Sequence, residues 1–215
     1  MAIGLFVLFA AGTSWKHLTA LAAVGAVAAA IVLGGPVVGV HVLKPYQQQR
    51  LTGFLHPSHD PGNQTYNITE SLIAVGSGGK AGRGVHATQA RLGFLPAPTT
   101  DFVFSTLSET YGFAGAALVL SLYALLIWRA LRIMTMAKNL YGTVIAGGIL
   151  AMFMFQVFVN TGMTIGIMPI TGVPLPLMSY GGSSVLVTFM AIGLLQSIHI
   201  QARRTAASKR QALIS

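Results

Sequence analysis

Carboxylates occur only four times in the 215 residues, at Asp60, Glu70, Asp101 and Glu109. Any carboxylate that accepts a proton in a reaction must therefore come from residues 60–109. Asp101 stands in the most suggestive context. A stiff Pro96-x-Pro98 lead-in precedes Thr99 and Thr100, which read as helix caps with Asp101 in the first turn. A carboxylate there sits favourably in the helix dipole, which keeps it ionised as a proton acceptor requires. In such a helix Asp101, Ser105 and Glu109 fall at i, i+4 and i+8, on one face. The same pattern also describes an ordinary capped helix start, and on local pattern alone that plainer reading ranks first.

Other stretches carry weaker chemistry. Gly76-Ser-Gly-Gly-Lys-Ala-Gly-Arg-Gly84 looks like a phosphate loop but is not a Walker A sequence. Ala74 stands where its first glycine belongs, and Ala81 follows Lys80 where Ser or Thr is required. What remains is pliant backbone with two cations, suited to pyrophosphate or an anionic headgroup, and equally readable as a plain loop. Asn67-Ile-Thr-Glu70 reads as a capping box opening a short helix that ends at Gly76, which makes Glu70 structural. His56-Pro-Ser-His59-Asp60 holds metal-capable side chains, but Pro57 spoils their helical spacing and no partner cluster supports a metal site. Asn63-Gln-Thr65 and Asn67-Ile-Thr69 fit the glycosylation sequon, a pattern short enough to arise by chance. Tyr46 to Arg50 suits either a bound sugar or a wetted membrane-interface segment.

The elements that must position these residues follow from composition. The chain is 53% hydrophobic and 8% charged, against about 25% charged for a soluble domain. Such a composition belongs to an integral membrane protein and excludes a soluble fold. Cysteine is absent, which removes disulfide and thiolate chemistry. The net charge of +9 orients the chain and meets anionic lipid headgroups; it does not point to nucleic acid. Residues 1–12 have no basic n-region, and at about half of the roughly 20 residues a span requires they read as a partial span of a longer chain. Trp15-Lys16-His17 closes that segment. Leu18 to Val42 reads as a full span with a kink at Gly34-Gly35-Pro36, and Lys44 to Ser108 is polar. Tyr111 to Trp128 is again long enough to cross. No Asp, Glu, Lys or Arg occurs from Asn139 to Ala202, which accommodates two crossings, Tyr141 to Val159 and Val185 to Ile200. The Gly- and Pro-rich turn between them is tolerated at membrane depth only if buried or lining a cavity. Basic clusters at 129–138 and 203–210 belong in the cytoplasm, which puts Lys16 there too and residues 44–110 outside. The expected fold is an all-α polytopic membrane protein forming one domain over residues 1–215. It has about four full spans plus a partial N-terminal one, a large extracytoplasmic loop and a re-entrant Gly/Pro-rich segment.

Several of these stretches together resemble the SEDS family of bacterial cell-wall proteins, its RodA branch more than its FtsW branch. They are Lys44-Pro-Tyr-Gln-Gln-Gln-Arg50, Ser71-Leu-Ile-Ala-Val-Gly-Ser-Gly-Gly79, Thr88-Gln89, Phe94-Leu-Pro96 and Thr100-Asp-Phe-Val-Phe104. Asn160-Thr-Gly-Met163 and the run from Pro169 to Ser184 complete the set. The resemblance implies a multi-pass enzyme of the bacterial plasma membrane, of which this chain looks like the C-terminal half. It implies polymerisation of lipid II into glycan strands during cell-wall elongation, with a class B penicillin-binding protein as partner. The family's invariant aspartate falls on Asp101, which reverses the local ranking and makes it the candidate general base. Lys44, Gln48, Arg50, Lys80, Arg83, Arg91, Thr100, Glu109, Ser179 and Tyr180 become candidate substrate contacts. Lys80, Arg83 and Arg91, with or without a divalent cation (Mg or Mn), would stabilise the departing undecaprenyl pyrophosphate; no other cofactor is implied. Two positions depart from the family pattern: Ala97 stands where Glu is usual, and Glu70 where Gln is common. A lipid II transporter is the alternative, because Pro- and Gly-broken segments resemble transporter sites. Acids confined to an outside loop favour chemistry over transport. A non-catalytic scaffold for the transpeptidase is the third reading.

Overall fold

A computed structural model describes residues 4, 8, 12–34, 63–84, 87 and 99–212. The regular elements among them are helices: α1 (Trp15–Gly34), α2 (Asn63–Ser77), α3 (Val103–Met136), α4 (Leu140–Thr164) and α5 (Gly182–Ala212). Helices α3, α4 and residues 182–205 of α5 are long and apolar enough to cross a membrane. Each contains one of the expected apolar runs and extends past it at both ends. A helix keeps its backbone bonded beyond the hydrocarbon, so polarity does not end it. The 24 residues of α3 from Phe113 to Met136 alone rise about 36 Å, against about 30 Å of hydrocarbon.

Two helix starts differ from expectation. Trp15-Lys16-His17 opens α1 instead of closing the segment before it. Gly12 turns the chain at φ 75, and Ser14 and His17 side chains then bond across the first turn. Helix α2 begins at Asn63, so Asn67 lies in its interior and no capping box forms there. Tertiary packing sets this start: Ile68 touches a core cluster, and Ser71 and Ala74 are fully buried, a stripe at helical spacing that runs through Asn67. The kink expected at Gly34-Gly35-Pro36 and the bulk of residues 44–62 lie outside the described residues, as does most of the partial first segment.

At one end of the bundle α3, α4 and α5 share a core of Ala130, Ile133, Ala146, Leu150, Phe153, Ala191 and Leu195. Small residues from all three helices let the axes approach closely, which is how helices associate where lipid removes the hydrophobic drive. At the other end α4 stops in a Schellman motif. Gly166 takes φ 73, and the Ile167 and Gly166 N–H groups donate to Gly162 and Met163 carbonyls. The Gly/Pro-rich chain that follows is irregular, as expected, and packs back on the bundle. Ile170 joins Phe102 and Met163, and Leu175 joins Phe104, Tyr123 and Val157. Burial against protein is the condition under which irregular backbone is stable in an apolar setting.

Candidate active site

Asp101 does not lie in the first turn of α3. Residues 99–102 form a turn, and the helix starts behind Phe102 with no side chain capping it. The carbonyls of this turn tie it down. The Tyr180 N–H donates to the Thr99 carbonyl at 2.9 Å, and the Ser179 hydroxyl to that of Thr100 at 2.6 Å. The Asn160 side-chain amide donates to the Asp101 carbonyl at 3.0 Å and to that of Val173 at 2.8 Å. Ser179 Oγ in turn accepts the Leu175 N–H at 2.7 Å. Three consecutive carbonyls are thus bound by the chain from 160 to 180, and buried Phe102 anchors the turn from below. The Asp101 carboxylate stays half-buried above this fixed backbone. Gly172 borders it: a Cβ added there would stand 3.6 Å from Asp101 Oδ2, and its φ of +70 disfavours any side chain.

Behind Asp101, α3 presents Ser105 and Glu109 on a wholly buried face. Asp101 precedes the helix and does not extend that row. Ser71 Oγ donates to the Thr164 carbonyl at 2.8 Å, so Ser105 must supply the hydrogen in their 2.6 Å contact. These bonds join α2, α3 and α4 directly behind the site.

One turn further on, α3 breaks at Gly112, whose φ of 64 and ψ of −163 are not helical. The loop after α2 fills the gap. Arg83 N–H donates to the Glu109 carbonyl at 2.8 Å, while Gly79 and Lys80 carbonyls accept from Phe113 and Ala114, at 2.9 and 3.2 Å. Backbone lies directly on backbone here. A Cβ at Gly78, Gly82 or Gly112 would overlap the main chain of Ser108, Thr110 or Gly82 respectively. Residues 78–83 are therefore neither a pliant loop nor an open phosphate cradle. Their glycines permit docking on α3, which leaves the Lys80 and Arg83 side chains exposed at the surface. Among the described residues no three His, Asp or Glu side chains converge as a metal cluster.

A family model for cell cycle proteins of the FtsW, RodA and SpoVE type matches residues 1–204. The chain belongs to the FtsW/RodA/SpoVE family. The peptidoglycan glycosyltransferase RodA of Treponema pallidum (strain Nichols) is 51% identical over 170 residues, 79% of this chain and 39% of that protein. The peptidoglycan glycosyltransferase MrdB of Escherichia coli (strain K12) is 46% identical over 197 residues, 91% of this chain and 52% of that protein. A chain in a solved peptidoglycan synthase complex is 32% identical, with a TM-score of 0.68 over 93% of this chain and 55% of its own. The chain thus spans about half the length of these relatives, or less. The SEDS resemblance drawn from the motifs is borne out. Membrane-length helices and membership of the FtsW/RodA/SpoVE family together describe a multi-pass helical membrane protein.

Of the residues expected to act in this FtsW/RodA/SpoVE chain, Asp101, Thr100, Ser179 and Tyr180 meet at the 99–102 turn. Ser179 is only 3% exposed and its hydroxyl bonds two main-chain groups, whereas Tyr180 is 82% exposed. Lys80, Arg83 and Glu109 gather around the break in α3, but Glu109 has no exposed surface to offer a ligand. Lys44, Gln48, Arg50 and Arg91, like His56, His59 and Asp60, lie outside the described residues. Sequence reasoning missed the work of Asn160, Tyr123 and Gly112. The Tyr123 hydroxyl donates to the Pro176 carbonyl. A hydroxyl in the middle of an apolar run needs such a partner, which was the available clue.

Proposed function

We propose that this protein is a peptidoglycan glycosyltransferase that polymerises lipid II during cell-wall elongation, with Asp101 as general base. One observation carries the reading: the turn that bears Asp101 is bound at three successive carbonyls while Asp101 itself is only half-buried, with Oδ2 beside Gly172. A proton acceptor needs that combination of fixed position and access. A sugar hydroxyl of one lipid-linked disaccharide attacks the anomeric carbon of the other and loses its proton to Asp101. The bond from that carbon to the phosphate oxygen breaks, and undecaprenyl pyrophosphate leaves with the electron pair. Lys80 and Arg83, with Arg91 from the undescribed stretch, balance the growing negative charge. A divalent cation, Mg²⁺ or Mn²⁺, is proposed as a helper arriving on the pyrophosphate, which needs at most one or two protein carboxylates.

An apolar groove of 460 Å³ beginning at Gly79 and Ser108 and passing Leu120 supports a lipid-linked substrate. It adjoins a second of 340 Å³ that shares Leu120, Thr161 and Ile165. The proposed topology places residues 44–110 outside and Lys138 and Arg204 in the cytoplasm, with spans beyond the three found here. A class B penicillin-binding protein is the proposed partner, supported by the similarity to a chain of a peptidoglycan synthase complex.

The test is Asp101→Asn, which keeps size and hydrogen bonding but removes the base. Reconstituted with lipid II and the transpeptidase, it should fold and bind its partner while glycan synthesis falls by about 10²–10⁴. Polymerisation near the parental rate would remove Asp101 from the mechanism. The irregular segment packed against the bundle favours a transporter as second reading; that reading requires lipid II flipping in liposomes by a parent protein that makes no glycan.

A further inference from the structure

Among the described residues, the cations at the other end of the bundle have no carboxylate on their own stretches of helix, α3 after Gly112 and α5. No Asp or Glu occurs from residue 110 to 215. Glu109 and Asp101 lie beyond the break in α3, and the 17 residues from Phe113 to Arg129 rise about 25 Å. Yet the charges here converge. Arg129 Nη2 stands 3.3 Å from His199 Nε2, and Arg203 follows His199 by one helical turn, on the same face of α5. The arginine donates, so Nε2 accepts and Nδ1 carries the ring hydrogen. His199 is only 6% exposed, and that Nδ1 is buried without a partner. Arg132 lies over the Trp128 ring, 5.6 Å from its centre. Arg129, Arg132 and Arg203 are all exposed.

The surface leading to this cluster is apolar. Leu118, Leu122 and Leu125 are 57–62% exposed and fall, with Arg129 and Arg132, on one stripe of α3 at helical spacing. Exposed Trp128 beside them is the residue type that marks the level of lipid headgroups. A ligand complementary to this stripe has a hydrocarbon chain and an anionic phosphate at one end. We infer that Arg129, Arg132 and Arg203, braced by His199, form a binding site for the headgroup of an anionic phospholipid whose acyl chain lies along Leu118, Leu122 and Leu125. The phosphate diester would accept from guanidinium groups on two helices and so join α3 to α5.

The experiment places the protein in phosphatidylcholine nanodiscs with and without phosphatidylglycerol, and reads thermal stability and co-purified lipid by native mass spectrometry. Phosphatidylglycerol should stabilise the parent and be retained. Arg129→Gln and Arg203→Gln should each weaken retention about fivefold, as loss of one basic side chain near a headgroup predicts, whereas Lys138→Gln, outside the cluster, should not. Should Arg129→Gln fold poorly, Arg203→Gln on the exposed side of α5 reads the same site. Equal loss from Lys138→Gln would mean diffuse attraction and overturn the site. Equal protection by inorganic phosphate in phosphatidylcholine discs would assign it to the free ion. Retention unchanged in both arginine variants would overturn it as well and leave the stripe to an acidic partner helix.

Discussion

At the scale of single residues, the site depends on how main-chain carbonyls are satisfied. Asn160 is fully buried, and both hydrogen bonds from its amide end on carbonyls, one of them Asp101's own. Asn160→Ala leaves two buried acceptors unsatisfied, each costing about 1–3 kcal/mol. Stability should drop by about 2–6 kcal/mol, and amide exchange over residues 99–102 should quicken relative to α3. Ser179→Ala removes one donor and one acceptor at the same turn and should act in the same direction by about 1–3 kcal/mol. Unchanged exchange at 99–102 in both variants would show that the turn is held by something else. Asp101 stood out in the sequence because acids are so scarce. Its position was misread because the local pattern offers threonine caps, while the partner that decides the geometry lies 59 residues away. Ser179 was legible as a polar residue in a telling motif, but nothing local distinguishes a hydroxyl that meets substrate from one that holds a carbonyl.

At the scale of elements, the decisive contact is the loop after α2 lying on the broken part of α3. It makes the glycines of one short stretch unequal, which gives a sharp comparison. Gly76 has open space where a Cβ would go, so Gly76→Ala should be neutral or slightly stabilising in this helical position. Gly78→Ala and Gly112→Ala drive a methyl group into main chain, and Gly112 also holds a positive φ. Both should lower folded yield in membranes and open residues 78–84 to proteolysis. Tolerance of both would mean that the loop does not dock. The Tyr123 to Pro176 bond makes a similar point for the irregular segment: Tyr123→Phe should cost about 1–3 kcal/mol by orphaning a buried carbonyl. Helices α3, α4 and α5 were legible because apolar runs and their basic flanks are local signals. The break at Gly112 was not, since a glycine in an apolar run reads equally as a packing position. The loop's glycines left a ligand cradle and a plain loop equally open, because close approach to phosphate and close approach to another backbone ask for the same residue.

At the scale of the whole molecule, the acids among the described residues all gather at one end, beside Lys80 and Arg83. Three of the four acids, Glu70, Asp101 and Glu109, lie on or just before α2 and α3 at the end that holds the candidate site. Arg129, Arg132, Lys138, Arg203 and Arg204 lie at the other, and the 24 residues of α3 from Phe113 to Met136 between the two ends rise about 36 Å, enough to cross about 30 Å of hydrocarbon. If positive charge orients the chain, the arginine-rich end faces the cytoplasm and Asp101 faces outward. The chain contains no cysteine, so single cysteines report sidedness without background. Exposed Lys80 and Arg204 are suitable positions, being outside the packed core and at opposite ends. In intact cells an impermeant thiol reagent should label Lys80→Cys and spare Arg204→Cys, with both labelled once the membrane is permeabilised. The reverse pattern would put Asp101 on the cytoplasmic side. That placement would leave polymerisation at the outer face without its proposed base, whatever the rate of the Asp101→Asn variant.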